Sequence, residues 1–320
     1  MNIRFLLPVM LIPFQIFAGD PPISVPDSLR PWIISCNNTL NFNQTHLSNW
    51  AEGGESSYSG TAFISFQAGL DRGKYSVDHQ LDLAYGMLRT ASKKIRKTDD
   101  KIDYTSTFSY KAIRSWNYST LINFKSQFSN GYKYPNDSTV VSTFMAPAYL
   151  TLSLGMQYKP TKTFVFFISP ASGRFTLVLD DVLANAGAFG VTKAVYDSDS
   201  THSIIKPGRH IKPEFGINLN IQYKKKIVEN VKIESRLVLY NNYFDEDPSN
   251  RWNIDINAET NFVFTINKYL TSNIRMNLIY DHDTTITDYV WEENEKVKTG
   301  EGPRTQFKET FGIGINYKIQ

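Results

Sequence analysis

Between Arg251 and Ile266 the sequence alternates without a break. Trp252, Ile254, Ile256, Ala258, Phe262, Phe264 and Ile266 fall on one parity, and Arg251, Asn253, Asp255, Asn257, Glu259 and Asn261 on the other. A period of two is the mark of a β-strand with one apolar and one polar face. The run is also far longer than the roughly 5–6 residues usual in a globular strand. The pattern returns about twelve times, near 33–46, 61–70, 75–88, 102–112, 116–128, 148–158, 163–169, 214–224, 230–241, 251–266, 271–281 and 306–319. This predicts an all-β fold, an antiparallel transmembrane β-barrel of about twelve strands. Ten or fourteen remain open, because 170–213 is long enough to hide a hairpin around Arg174 to Leu179.

The connections sort by parity. Those at 71–74, 113–115, 159–162, 225–229 and 267–270 are short; those at 47–60, 89–101, 129–147, 170–213, 242–250 and 282–305 are long. Outer-membrane barrels have short periplasmic turns and longer outer loops, whereas a soluble sandwich has no reason to sort its loops. Most segments reach the roughly 9–11 residues that a tilted strand needs to cross the hydrocarbon. Trp116, Phe128, Tyr149, Tyr158, Tyr223, Trp252, Tyr280 and Tyr317 stand near segment ends, where an aromatic girdle is expected at the headgroup level. No apolar run approaches the roughly 18–20 residues of a spanning helix. With 34 basic and 31 acidic residues mixed along the chain, there is no electrostatic footprint for nucleic acid.

The first residues read as an export signal. Arg4 precedes an apolar stretch from Phe5 to Phe17, broken by Pro8 and Pro13, and Ile16-Phe17-Ala18 forms a cleavage site. The expected organisation is a signal peptide over 1–18, cleaved near Ala18, and one barrel domain over 19–320. The single cysteine, Cys36, has no intrachain partner and is expected to point into a packed face.

If the apolar parity faces lipid, the other parity lines the lumen. Candidate lumen charges are Lys125, Lys232, Glu234, Arg236, Arg251, Asp255, Glu259 and Arg275, with Asp78, Asp82, Asp103 and Lys111 beside them. Both signs occur in similar numbers, which predicts pairing across a largely filled interior rather than a strongly ion-selective pore. The glycine-rich stretch from Ala184 to Gly190, together with Phe175, Leu177, Val178, Leu179 and Phe189, suggests that 170–213 folds over or into the mouth as a plug or lid.

Chemistry-bearing constellations are sparse. His46 and Ser48 share a strand face, a spacing at which an imidazole can activate a hydroxyl if an Asn or Asp orients it from a neighbouring strand, but they sit at a loop edge beside Asn49-Trp50. The groups Asp281-His282-Asp283, Asp99-Asp100 with Asp103, and Asp245-Glu246-Asp247 fall in or beside the longer connections, where acids are normally solvated. No catalytic, metal or cofactor site is assigned, and no cofactor is expected.

Several irregular stretches are more specific than generic barrel. They are Asn49-Trp50-Ala51-Glu52-Gly53-Gly54; Arg96-Lys97-Thr98-Asp99-Asp100-Lys101 with Asp103; Asn123 to Phe128 with Gly131-Tyr132; Phe144-Met145-Ala146-Pro147-Ala148-Tyr149; Ile168-Ser169-Pro170 to Gly173; Ala186-Gly187-Ala188-Phe189-Gly190-Val191; and Tyr280-Asp281. From about Trp50 to Tyr317 the chain resembles the bacterial family known as Domain of Unknown Function 3078. The resemblance implies an outer-membrane β-barrel of a Gram-negative bacterium and brings no catalytic residues. The expected role is passage or binding of a small solute, with outer-membrane lipid and the barrel-assembly machinery as partners. A barrel enzyme acting on lipid, a structural or adhesive surface protein, and a secreted all-β binding module are the alternatives.

Overall fold

A computed structural model describes residues 31–45, 55–133, 138–197, 203–245, 247–292 and 295–319. Twelve strands close into one barrel: β1 (Ile33–Thr45), β2 (Ser57–Asp71), β3 (Tyr75–Thr90), β4 (Arg96–Ile113), β5 (Trp116–Ser126), β6 (Ala148–Tyr158), β7 (Phe164–Leu177), β8 (Ile211–Val228), β9 (Val231–Asn242), β10 (Asp255–Thr265), β11 (Leu270–Tyr280) and β12 (Gln306–Ile319). Each strand pairs antiparallel with its sequence neighbour, and β12 closes on β1. Closure gives every strand two hydrogen-bonded neighbours, the condition for strands to stand in hydrocarbon. The expected signal segment, His46, Ser48, Trp50, Gly53 and Gly54 lie outside the described residues.

The faces follow the sequence alternation. On β5, Tyr118 and Ile122 are exposed, while Ser119, Leu121 and Asn123 are buried. On β8, Phe215 and Tyr223 face out and Asn218 and Asn220 face in. Leu154 at the middle of β6 is 62% exposed, although it pairs on both sides, with Thr120 and Ala171. An exposed apolar belt around a closed ring, over a polar interior, suits a lipid solvent and no aqueous one. Cys36 shares its parity with exposed Ile34, Leu40 and Phe42, so it faces outward rather than into a packed face.

The inner-end turns are tight. In Asp71-Arg72-Gly73-Lys74, Gly73 adopts φ 74° and its amide donates to Asp71 Oδ1 at 2.8 Å. The Trp116 and Tyr158 rings meet at this end with centroids 4.9 Å apart, as a girdle requires. Tyr149 departs from the girdle: it shares its face with buried Ser153 and Gln157 and points inward.

Three segments depart from the predicted boundaries. Residues 251–252 belong to a short turn, Pro248–Trp252, capped by Asp247, which accepts from the Ser249 hydroxyl and amide. Those two bonds hold the exposed Asp247 carboxyl below the usual carboxylate range. Trp252 is 88% exposed outside the barrel. The connection after β3 shrinks to 91–95, because β3 and β4 pair beyond their predicted ends. β7 does not stop before Pro170. It carries one extra residue there, shown by simultaneous register shifts against β6 at Leu154/Met156 and β8 at Gly216/Asn218. Proline has no N–H to give a ladder, and a bulge is where a strand tolerates it. Residues 174–177 therefore extend a barrel strand instead of forming a hidden hairpin. The hairpin in this connection is smaller, Val195–Tyr196 with Ile204–Lys206.

Closure is uneven around the ring. β1 pairs with β2 over its whole length, Ile33 to Thr45, but with β12 only from Cys36 to Asn41. At that seam the Asn41 side chain fills the space above Gly312 and Gly314, where a Cβ would approach it to 2.8 and 2.2 Å.

Candidate functional site

The lumen is crossed by charge. Asp103 on β4, 1% exposed, faces three cations: Arg236 of β9 at 3.3 Å, Lys101 at 3.6 Å and Lys125 of β5 at 3.8 Å. Asn123 donates to Asp103 Oδ1 at 2.7 Å, and also to Thr105 Oγ1 at 2.9 Å. Lys101 Nζ then reaches both carboxylate oxygens of Glu259 at 2.9 Å. Glu259 stands on β10, six strands from β4 in a ring of twelve and so on the opposite wall. The Arg236–Asp103 and Lys101–Glu259 pairs are struts from wall to wall, joined through Asp103 to Lys125 on the adjacent strand, and shielded enough that their attraction exceeds that of a surface pair.

A second cluster lies at the outer mouth. Arg174 donates to Glu214 from Nε (2.7 Å) and Nη2 (3.0 Å), and to Asp255 Oδ2 from Nη1 (2.6 Å). Its guanidinium also lies 4.2 Å from the centre of the buried Tyr240 ring. Lys212 pairs with Glu214 at 3.4 Å and with Asp283. Asp281 accepts the Asp283 amide at 2.9 Å, while His282 donates its amide toward Asp255 at 3.4 Å. The bidentate fork fixes the plane of Arg174 as well as its charge.

Over this cluster sits the long connection between β7 and β8. A short helix, α1 (Asp181–Asn185), is capped by Asp180, which accepts from the Leu183 amide at 2.9 Å. Val178, Leu183, Ala184 and Val191 form a small core with Ala146, and Phe189 and Ala188 pack against it. Gly187 and Gly190 take φ 73° and 78°, so the glycines stand where the backbone requires them. A Cβ on Gly190 would lie 3.3 Å from Lys212 Nζ, so the loop core rests on the mouth cluster.

Beside the struts, the lumen opens into a cavity of about 510 Å³. Its wall comes from β1, β2, β3, β9, β10, β11 and β12, plus the outer part of β4 and inner part of β8. It reaches the inner-end turn at Asn267 and Lys268 and the outer-end pair Lys308–Asp99, 2.9 Å. No residue of β5, β6 or β7 lines it.

The predicted residues divide accordingly. Lys125, Arg236 and Glu259 belong to the mid-lumen struts, with Asp103 at their centre. Asp255 belongs to the mouth. Lys232 and Glu234 pair with each other at 2.5 Å near the inner end, and Arg275 lines the cavity. Arg251 is a correction: it lies in the exposed turn between β9 and β10, not in the lumen, because the strand begins only at Asp255. Lys101, Arg174, Lys212, Glu214 and Lys308 were missed, since each sits at a strand end assigned to a loop or at its edge.

The irregular motifs now have places. Lys97 pairs with Asp100 at 2.8 Å, and Asp100 accepts the amides of Phe128 and Ser129, which ties the next outer loop to β4. Asp99 instead points to Lys308, so the acids of this motif separate to different partners. Ser169 donates to the carbonyls of Leu154 and Ala171 beside the Pro170 bulge, and Ser172 donates to Ser153 and Ser169. Gly173 follows in the same strand, and Pro147 precedes β6 through a cis peptide. Among the described residues there is no group of three or more side chains suited to hold a metal ion.

The family model described as Protein of unknown function (DUF3078) matches residues 42–132. The resemblance expected from Trp50 onward is borne out over that stretch, which includes Lys97, Asp99, Asp100 and Asp103. No curated protein matches the chain. Among solved structures, an outer membrane channel from Pseudomonas putida F1 is 11% identical, with TM-score 0.36, covering 93% of this chain and 99% of that one. The translocator domain of the autotransporter NalP from Neisseria meningitidis is 9% identical, TM-score 0.35, covering 89% and 87%. The NanC porin is 10% identical, TM-score 0.33, covering 88% and 99%. Likeness of this degree carries no functional assignment; the fold rests on the strand pairing itself.

Proposed function

We propose that the chain is an outer-membrane barrel whose polar lumen serves passage or binding of a small solute, its long loops facing outward. The observation that supports this most is the combination of a closed ring, an exposed apolar belt and a polar cavity of about 510 Å³ inside it. A purely structural barrel of this size has no need for so large a void, since interiors otherwise pack densely. Export with cleavage near Ala18, insertion into lipid and assembly by the barrel machinery belong to the same proposal. Residues 178–194 act as a lid on the outer mouth, resting on Lys212 and Asp283.

Planar bilayers test this reading. The intact chain gives small or absent conductance steps, and replacing 180–207 by a short glycine linker enlarges them. The cut spares Arg174, which belongs to the barrel, and keeps the Val178–His210 backbone bond at 2.8 Å. Identical traces before and after the deletion remove the lid. Recovery of the mature chain from the aqueous fraction without detergent removes the membrane reading altogether.

A further inference from the structure

The open half of the lumen is not electrically neutral. Seven lining residues are cationic, Lys101, Lys224, Lys232, Arg236, Lys268, Arg275 and Lys308; four are acidic, Asp82, Asp99, Glu234 and Glu259. That leaves a formal excess of three positive charges. The acids are already engaged: Asp99 with Lys308, Glu234 with Lys232, Glu259 with Lys101, and Asp82 with the Gln80 side-chain amide at 2.6 Å.

Arg275 is the unspent charge. No carboxylate among the described residues lies within ion-pair distance of it. Its guanidinium instead lies 3.8 Å from the centre of the Phe63 ring, a large apolar side chain buried on the otherwise polar inner face of β2. A ring against one face of a guanidinium holds it flat and leaves the in-plane N–H groups free to form a fork. Arg236 Nε, on the same cavity wall, also has no hydrogen-bond partner among the described residues. Around them stand neutral hydrogen-bonding groups, among them Thr39, Gln67 and Asn273. A cationic recess between low-dielectric walls concentrates anions, and its volume falls within the roughly 300–1,000 Å³ of small-ligand sites.

We infer that this cavity binds a small organic oxyanion, carboxylate or phosphate, with the Arg275 fork as its anchor. The inference rests on the solute-handling role proposed above and names the solute class. The fork geometry matches both oxyanions, and the flanking amides and hydroxyls suit a hydroxylated carbon skeleton.

The test uses the full chain folded in detergent, verified by heat-modifiable migration. Calorimetric titration with gluconate, glucose 6-phosphate and glucose separates a carboxylate, a phosphate and a neutral analogue. At least one anion binds and glucose does not. Arg275→Gln weakens the anion about tenfold or more, the loss of a charge-assisted bond. A second measurement leaves Arg275 in place and uses the chain with 180–207 replaced by the glycine linker: in a KCl gradient across a planar bilayer, the reversal potential falls on the anion side. Should Arg275→Gln fail to fold, Lys268→Gln at the inner-end turn takes its place, with a several-fold loss expected. Glucose binding as tightly as the anions, no anion binding, an undiminished variant or a cation-side reversal potential each overturn the inference. Insertion and conductance with any of these results leave the solute-handling role standing. Failure to insert removes both.

Discussion

Two halves of one barrel, built from the same alternation, have opposite interiors. Along β4 to β8 the inner face is crowded with small polar side chains, among them Thr105, Thr107, Ser109, Ser119, Ser153 and Ser172, all buried. They bond to one another: Ser109 to Ser119 at 2.8 Å, Ser172 to Ser153 at 2.7 Å, Asn218 to Ser153 at 3.1 Å. Across the ring, β9 to β12 and β1 to β3 carry Lys, Arg, Asn and Gln on the same inward parity, and there the cavity opens. Period-two alternation tells which face is wet; the size of the wet side chains decides whether that side is filled. Short hydroxyls satisfy each other locally and leave room for Lys125, Tyr149 and Arg174 to fill the interior, whereas long charged groups hold open the space they reach into.

The contrast breaks most visibly at Asp103. Asp103→Ala strands Lys125 and Arg236 without their counter-charge and leaves Lys101 to Glu259 alone, a loss of about 3–5 kcal/mol for a buried pair. Glu234→Ala, at the half-exposed inner rim of the open half, costs at most about 1 kcal/mol. Urea unfolding in detergent, followed by tryptophan fluorescence, measures both; equal shifts would mean that the two halves are equally wet. A smaller effect comes from backbone proximity. A Cβ on Gly155 of β6 would sit 2.1 Å from the Ile168 carbonyl oxygen, so Gly155→Ala destabilises by about 1–3 kcal/mol. On β2, Gly60 has only Asn41 O at 3.9 Å, and Gly60→Ala shifts the same midpoint by less than about 0.5 kcal/mol. The smallest effect sharpens the comparison: Ser172→Ala removes one member of the hydroxyl network for about 0.5–1.5 kcal/mol. Ser65→Ala, facing the cavity, leaves the midpoint in place because water replaces the lost hydroxyl.

Most of the architecture was legible because alternation is a local signal that lipid enforces on every strand. Strand number, direction and faces followed from it. What stayed hidden depended on irregularity or on closure. The bulge at Pro170 adds one residue, so Ser169 and Ser172 both face inward and Arg174 follows on the even parity. Read at a fixed period, β7 ends early and Arg174 is lost to a loop. At Arg251 the error ran the other way: a turn kept the alternation by chance. The strut between Lys101 and Glu259, and the stacking of Arg275 on Phe63 three strands away across the β1–β12 seam, join residues far apart in sequence. No spacing rule brings such partners together; only the closed ring does.

The seam itself has a consequence for how such a cylinder comes into being. Eleven joints link strands already tethered through a connection; the twelfth must find its partner from the far end of the chain, and it is held over the shortest stretch. With Asn41 lodged above Gly312 and Gly314, alignment there is recognised by shape, much as a zip is started by its pin. Bulk at either glycine would leave a gap in the wall even though every other joint had formed.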